Sequence, residues 1–198
     1  MPIIVDKAQK RKDIALSCKE LFITHGIKDL TISQLAKTAG VGKGTMYDYF
    51  KNKEDIVFEV INILMVKHNL HKEKELSDIS STKEKIKIFF NFFYSKKDES
   101  LRTLYKEFIS ISLITANEEM IDFQTTCFEN YYQWFRQILQ EGIDKGEIIP
   151  HSIHFAKGLF ATGEGLFIAS VATKAIADVE KELNIYIDTL FQLIEVKK

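Results

Sequence analysis

Proline, cysteine and long uncharged apolar runs are what this sequence has least of. Two prolines, Pro2 and Pro150, stand in 198 residues, and no Pro- or Ser-rich linker or low-complexity tract interrupts the chain. The two cysteines, Cys18 and Cys127, are far apart and match no metal or redox spacing. Cys18 falls on an apolar helical face and is expected as a small buried hydrophobe. No run of about 18 uncharged apolar residues exists, so no membrane span is expected. The N-terminal MPIIVDKAQKRKD carries charge where a secretory leader needs an apolar core, which points to a cytoplasmic protein. An excess of one charge is also missing. The formal net charge is -1, so the global balance does not advertise nucleic acid. Its distribution is more telling. Residues 1–55 hold ten Lys/Arg against seven Asp/Glu, a head of +3 on a body of -4. A mildly basic head fits a local phosphate-binding surface; chance variation among solvated charges fits it too.

What is present is helical patterning. Hydrophobic residues make up 45% of the chain, enough for a sizeable core. They recur at helical spacing with few turn signals between them, so an all-α protein is expected. Residues 7–25 place Ile14, Cys18, Leu21 and Phe22 on one stripe, and Gly26 closes the helix. Thr31-Ile32-Ser33-Gln34 is a capping-box pattern that opens a short second helix, with Leu35 and Ala36 inward and Gly40 at its end. Gly42 is a weak cap for a third helix from Lys43 to about Phe50. Asn52 caps a fourth, whose first turn sets Glu54 and Asp55 against the positive end of the helix dipole. That helix reaches about Leu70 or beyond, and the polar stretch His71–Lys83 reads as loop. Residues 83–95, 99–115 and 118–145 read as further helices. Pro150 separates them from an apolar helix over about His151–Thr173, and a last amphipathic helix covers roughly 177–196.

Three short helices and a long one are the parts of a helix-turn-helix unit. Such a unit needs a tight turn, here Ala39-Gly40-Val41. It needs small and apolar residues at the crossing, and hydrogen-bond donors on the outer face of the third helix. Leu35, Ala36, Ala39, Val41, Met46 and Phe50 suit the crossing, while Lys43, Thr45, Tyr47 and Tyr49 supply donors. The glycines around Lys43 do not make a P-loop, because position 37 is Lys where that motif needs Gly, and position 44 is Gly where it needs Ser or Thr.

The stretch LTISQLAKTAGVGKGTMYDYFKNKEDI, residues 30–56, resembles the head signature of the TetR family of transcriptional regulators. The match lies in the spacing of Thr31, Leu35-Ala36, Ala39-Gly40-Val41, Gly44-Thr45, Tyr47, Tyr49-Phe50 and Lys53-Glu54. The resemblance implies a helix-turn-helix DNA-binding domain over residues 1–53 and an effector-binding and dimerisation domain over 54–198. It implies phosphate contacts from Thr31, Tyr47 and Lys53. It places Lys43, Gly44, Thr45 and Tyr49 against base edges or the flanking backbone. Two residues depart from the family's pattern. Gly42 stands where the family often has Ser or Thr, and Asp48 puts a negative charge in the recognition helix. Asp48 can accept from a cytosine amino group or point along the solvent edge; the second is the expectation. Lys7, Lys10, Arg11 and Lys12 suit either non-specific phosphate contacts or a solvated face.

The resemblance also places dimerisation on the last two helices. Gly158, Ala161, Gly165 and Ala169 recur at small-residue spacing, and Leu183, Ile187 and Leu190 form a stripe. These residues are the expected interface of a homodimer, with a purely intramolecular core as the alternative. A ligand cavity is implied as well. Phe89, Phe93, Tyr105, Phe108, Phe128, Tyr131 and Trp134 are its candidate lining and Glu107 its polar anchor, with ordinary core packing as the alternative. His68/His71 and His151/His154 are i, i+3 pairs without a third ligand, so no metal or cofactor is expected. No Ser-His-Asp, Cys-His or metal constellation supports an enzyme. The expected function is a repressor, released from a pseudo-palindromic duplex operator by a small, mainly apolar or aromatic effector, with no membrane partner. An effector-independent DNA-binding protein of the same fold and an activator remain alternatives.

Overall fold

A computed structural model describes residues 6–115 and 117–197. The first five residues of the charged N-terminus lie outside that range. Within it the regular structure is helical: α1 (Lys7–His25), α2 (Ile32–Thr38), α3 (Lys43–Tyr49), α4 (Lys53–Ser77), α5 (Thr82–Phe90), α6 (Glu99–Thr115), α7 (Glu118–Asp144), α8 (Ala156–Ala172) and α9 (Val179–Ile194). Short 3-10 turns cover Asn91–Phe93, Lys96–Asp98 and Pro150–Phe155. Among the described residues extended backbone pairs at one isolated antiparallel bridge, Ile148 with Glu195. The chain is all-α, with a three-helix helix-turn-helix head ahead of a helical body.

Two boundaries differ from expectation. The polar stretch after Leu70 stays helical to Ser77, because its charged residues are good helix formers and its inward positions continue the buried stripe with Lys72 and Leu76. The phenylalanine-rich helix stops at Phe90. There the Lys72 ammonium takes the Ile88 carbonyl at 3.0 Å and the Asn91 side-chain oxygen at 2.5 Å, a cation at the negative end of α5.

The chain divides into two compact units. One reaches to Leu70 and takes in Ser100–Ile114; the other holds His71–Glu99 and the chain from Thr115 onward. The first unit runs past Lys53 into α4. The first half of α4 buries Ile56, Val57, Val60 and Ile61 in the first unit, and the rings of Phe58 and Phe108 meet edge to face at 5.0 Å.

The second unit is built around aromatic rings. Phe135 lies 4.2 Å from Phe89 and 5.1 Å from Phe90 between ring centroids, and Phe93 lies 5.7 Å from Phe167. Gly163 of α8 belongs to this core. A Cβ added there would overlap the Phe90 ring, so the bare backbone is what lets α8 approach. Helix α9 packs on α5 and α8, with Leu183, Ile187, Leu190 and Phe191 buried and Asp188 held by Lys83 and Lys87 at 2.8 and 2.9 Å. This corrects one expectation. Leu183, Ile187 and Leu190 belong to the chain's own core, because the apolar stripe of α9 is already covered by α5 and α8. The other side of α9 exposes Ile185 (51%) and Leu193 (74%). On α8, Gly158, Ala161, Gly165 and Ile168 are exposed, and Ala169 is half-buried. Pro150–Ala172 is long and apolar enough to cross a membrane by length and composition alone. Lys157 and Glu164 interrupt it, so it is not an uncharged run.

Lys72 is the buried cation of this unit, 1% exposed. Its third donor reaches Glu75 at 2.9 Å, and Lys97 also binds Glu75. Burial alone would raise the Glu75 pKa, but the two lysines outweigh it and hold the carboxyl at about 2. Burial lowers the Lys72 pKa, with Glu75 opposing. The Glu75 contribution to stability is therefore present above the ordinary carboxylate pKa and fades as pH falls from about 4.5 toward 2. Glu75→Gln is expected to destabilise the protein at neutral pH, and the gap from wild type should close over that window. Denaturant unfolding at a series of pH values checks this; a gap independent of pH would assign the effect to packing.

Candidate nucleic-acid interface

Each turn of the head follows from local chemistry. Thr31 caps α2: its Oγ1 accepts from the Gln34 N–H at 3.3 Å, while Gln34 Oε1 accepts from the Thr31 N–H at 2.9 Å. Both halves of the expected capping box are thus formed. The turn into α3 is a Schellman cap. Gly40 takes φ of 65°, the Val41 N–H donates to Ala36 O at 3.0 Å, and the Gly40 N–H donates to Lys37 O at 3.2 Å. This reverses the chain within three residues, as the helix crossing requires. Gly42 begins α3 without a side-chain cap. Asn52 Oδ1 accepts from the Asp55 N–H at 2.7 Å at the start of α4.

The crossing is closed by Leu35, Ala36, Met46 and Phe50, all buried, with Cys18 of α1 beneath them. The Cys18 thiol donates to Leu35 O at 3.6 Å, and burial pushes its pKa up, so it is an inert packing residue. With Met46 and Phe50 turned inward, α3 presents Lys43, Gly44, Thr45, Tyr47 and Asp48 to solvent and leaves Tyr49 half-buried. Thr31 is also exposed. Of the seven residues expected at the DNA surface, five are thus exposed, and Tyr49 and Lys53 are half-buried.

Lys53 is placed differently. Its ammonium donates to Lys28 O at 2.6 Å and Leu30 O at 3.1 Å. Two of its three protons hold the turn just ahead of Thr31, and one is left for an anion.

The residue that sequence reasoning missed is Arg11. In sequence it stands among Lys7, Lys10 and Lys12, which suit a solvated face or a phosphate-binding arm alike. In the structure its guanidinium is a clamp inside the first unit. It binds Asp55 at 2.6 Å and Glu59 at 2.8 Å, donates to the Tyr49 carbonyl, and lies 4.3 Å over the Phe50 ring. Burial lowers its pKa, but the hydrogen bonds it donates to both acids, with their charges, outweigh this and raise it, so it is charged at any accessible pH. The signal available in the sequence was the i, i+4 pair Asp55/Glu59 on one face of α4.

The pocket candidates fall in both units. Tyr105, Glu107 and Phe108 belong to the first, where the Glu107 carboxylate packs over Gly26. Phe89, Phe93, Phe128, Tyr131 and Trp134 belong to the second. Phe89 meets Trp134 at 5.0 Å and Tyr131 at 5.8 Å, and Phe128 meets Phe160 at 5.0 Å. Phe89, Phe93 and Phe108 are buried, while Tyr131, Trp134 and Phe128 keep part of their rings exposed. His151 and His154 stack at 6.3 Å, both exposed, and no cluster of three or more metal-binding side chains occurs among the described residues.

Comparison with known proteins converges on one family. Residues 18–60 match the family model described as bacterial regulatory proteins, tetR family. The chain is 29% identical over 144 residues to the fatty acid metabolism regulator protein of Bacillus subtilis (strain 168), covering 72% of each chain. It superposes on a TetR-family transcriptional regulator from Cytophaga hutchinsonii with a TM-score of 0.80 at 17% identity, over 99% of this chain and 100% of that one. It also superposes on the regulator FadR of Bacillus subtilis in complex with stearoyl-CoA, with a TM-score of 0.69 at 25% identity, over 90% and 96% of the two chains.

Proposed function

We propose that the chain is a member of the TetR family of bacterial regulatory proteins, a cytoplasmic homodimeric repressor released from a two-fold symmetric operator by a small, mainly apolar or aromatic effector. Members of the family are DNA-binding transcriptional regulators rather than enzymes. The observation that carries the reading is the outer face of α3, which offers donors and a glycine to solvent while Met46 and Phe50 anchor its inner face.

In this reading residues 1–53 bind DNA and 54–198 bind effector and partner. Helix α3 lies in the major groove, with Lys43, Thr45 and Tyr49 toward base edges and Thr31 and Tyr47 on phosphates. Lys53 supports Thr31 from behind and turns its remaining proton to the backbone. One such helix reads too few base pairs for useful specificity, so two copies are required. Their contact is the exposed side of α8 and α9: Gly158, Ala161, Gly165 and Ile168 with Ile185 and Leu193. An apolar helix face of this size needs a cover, and a second copy supplies it without a membrane.

The half-exposed rings of Phe128, Tyr131 and Trp134 support an apolar or aromatic effector, as does the stearoyl-CoA bound by the Bacillus subtilis regulator. Such a molecule acts by preferring a state whose heads are wrongly spaced for successive grooves. A hundredfold loss of operator affinity requires about 2.7 kcal/mol of coupling. Helix α4, unbroken from Lys53 to Ser77, is the element suited to transmit it.

Selection of bound fragments from genomic DNA, followed by gel shifts, tests both halves. A symmetric site should be enriched, and its complex should weaken with a long-chain acyl-CoA or an aromatic compound from a broad panel. Failure to enrich any sequence would remove the operator; a complex indifferent to every compound would leave an effector-independent DNA-binding protein.

A further inference from the structure

We infer that Asp48 is a specificity-determining residue that reads the amino group of a cytosine in the major groove, across the space left by Gly44. The inference rests on the reading of α3 as the helix in the groove.

At about 100° per residue along a helix, Asp48 stands roughly 200° and Gly44 roughly 160° from Met46, the buried anchor of α3. The two lie one turn apart, on the crest opposite the core. Asp48 is exposed, and no hydrogen bond or ion pair among the described residues engages it. It has no capping duty either, since the cap of α4 is formed by Asn52 and Asp55. Nothing inside the chain demands glycine at position 44: its φ is not positive, and an added Cβ meets no atom within 4 Å. A residue with no internal reason to be small, on the crest that meets DNA, marks close approach to something outside the chain.

Charge supplies the second half of the argument. Lys43, Thr45 and Tyr47, the exposed polar neighbours on α3, all have donors. Asp48 is acceptor-only. A carboxylate carried toward phosphates weakens binding to every sequence alike. Only a base edge that presents a donor offsets that repulsion. In the major groove guanine shows two acceptors, thymine shows an acceptor and a methyl group, and adenine sets an acceptor beside its amino group. Cytosine alone shows a donor without an adjacent acceptor of its own. The aspartate side chain is short, so it reaches that donor only if the helix sits deep, and Gly44 about 6 Å away along the axis permits this.

The experiment is binding-site selection from a random duplex pool with the full chain, wild type and D48A, alongside affinity for a scrambled duplex. Wild type should enrich a symmetric site with one cytosine per half-site that D48A no longer selects. Discrimination at that position should fall from about 5- to 150-fold to near unity, with other positions unchanged and the scrambled duplex bound more tightly. That last measurement also shows that D48A is folded. If D48A enriches the same site with the same cytosines, Asp48 is only a repelling charge and the inference fails. If wild type enriches nothing, the groove reading of α3 fails, and this inference with it.

Discussion

Replacing Gly165 with leucine is expected to leave each chain folded and to lower operator affinity about a hundredfold or more. Gly165 is exposed, and an added Cβ meets nothing within 4 Å, so the isolated chain has room for the new side chain. In the proposed dimer a second copy does not. Pairing across a face of Gly158, Ala161 and Gly165 relies on backbones approaching closely, and the substitution enters twice in a symmetric dimer. A monomer keeps the contacts of one head but loses the linkage that makes the second binding event intramolecular, a factor of about 10² to 10⁴. Sedimentation should show the shift to monomer, gel shifts the loss of binding, and circular dichroism an unchanged helix content. Gly163→Leu is the contrasting case two residues away. Its side chain would run into Phe90 and Phe93 inside the same chain, so helix content and stability should fall. A G165L protein that sediments as the wild-type dimer would move the interface off α8.

The contrast between those two glycines shows where sequence reasoning stops. Spacing along α8 marks Gly158, Ala161 and Gly165 as a small-residue face, but it is silent on Gly163, whose constraint comes from rings more than sixty residues earlier in the chain. The head was legible almost to the residue because its determinants are local. Thr31 meets Gln34 within one turn, Gly40 takes its left-handed cap beside Ala36 and Lys37, and Asn52 finds Asp55 three residues on. Non-local pairing was not legible. The stripe of Leu183, Ile187 and Leu190 marks an apolar face of α9, but nothing in it distinguishes α5 and α8 from a second copy as its cover. Lys72 sat in a stretch that looked like solvated loop, because no sequence pattern announces that a lysine will be buried by Glu75, Asn91 and a carbonyl. Likewise Arg11 and the lysines around it look the same in sequence, and only the acids 44 and 48 residues away separate them.

That separation has a measurable consequence. Arg11→Met should destabilise the protein by about 2–3 kcal/mol, less than the 3–5 kcal/mol for breaking a fully buried pair because the Arg11 side chain is 30% exposed. Methionine keeps much of the apolar stem over Phe50. What it removes is the cation between Asp55 and Glu59, whose carboxylates are then left close together in a mostly buried place, and the donor to the Tyr49 carbonyl at the end of α3. For a chain of this length the loss corresponds to a fall of about 4–12 °C in melting temperature. Arg11→Lys should recover only part of it, since a point charge cannot span three acceptors held by a planar fork. DNA affinity should drop alike for operator and scrambled duplex, because Arg11 positions α3 and touches no base. The salt dependence then distinguishes this clamp from a phosphate-binding arm. A phosphate contact at Arg11 would lower the slope of log affinity against log salt by about one unit and leave the melting temperature nearly unchanged. A clamp leaves the slope and moves the melting temperature, and the reverse result would return Arg11 to the DNA surface.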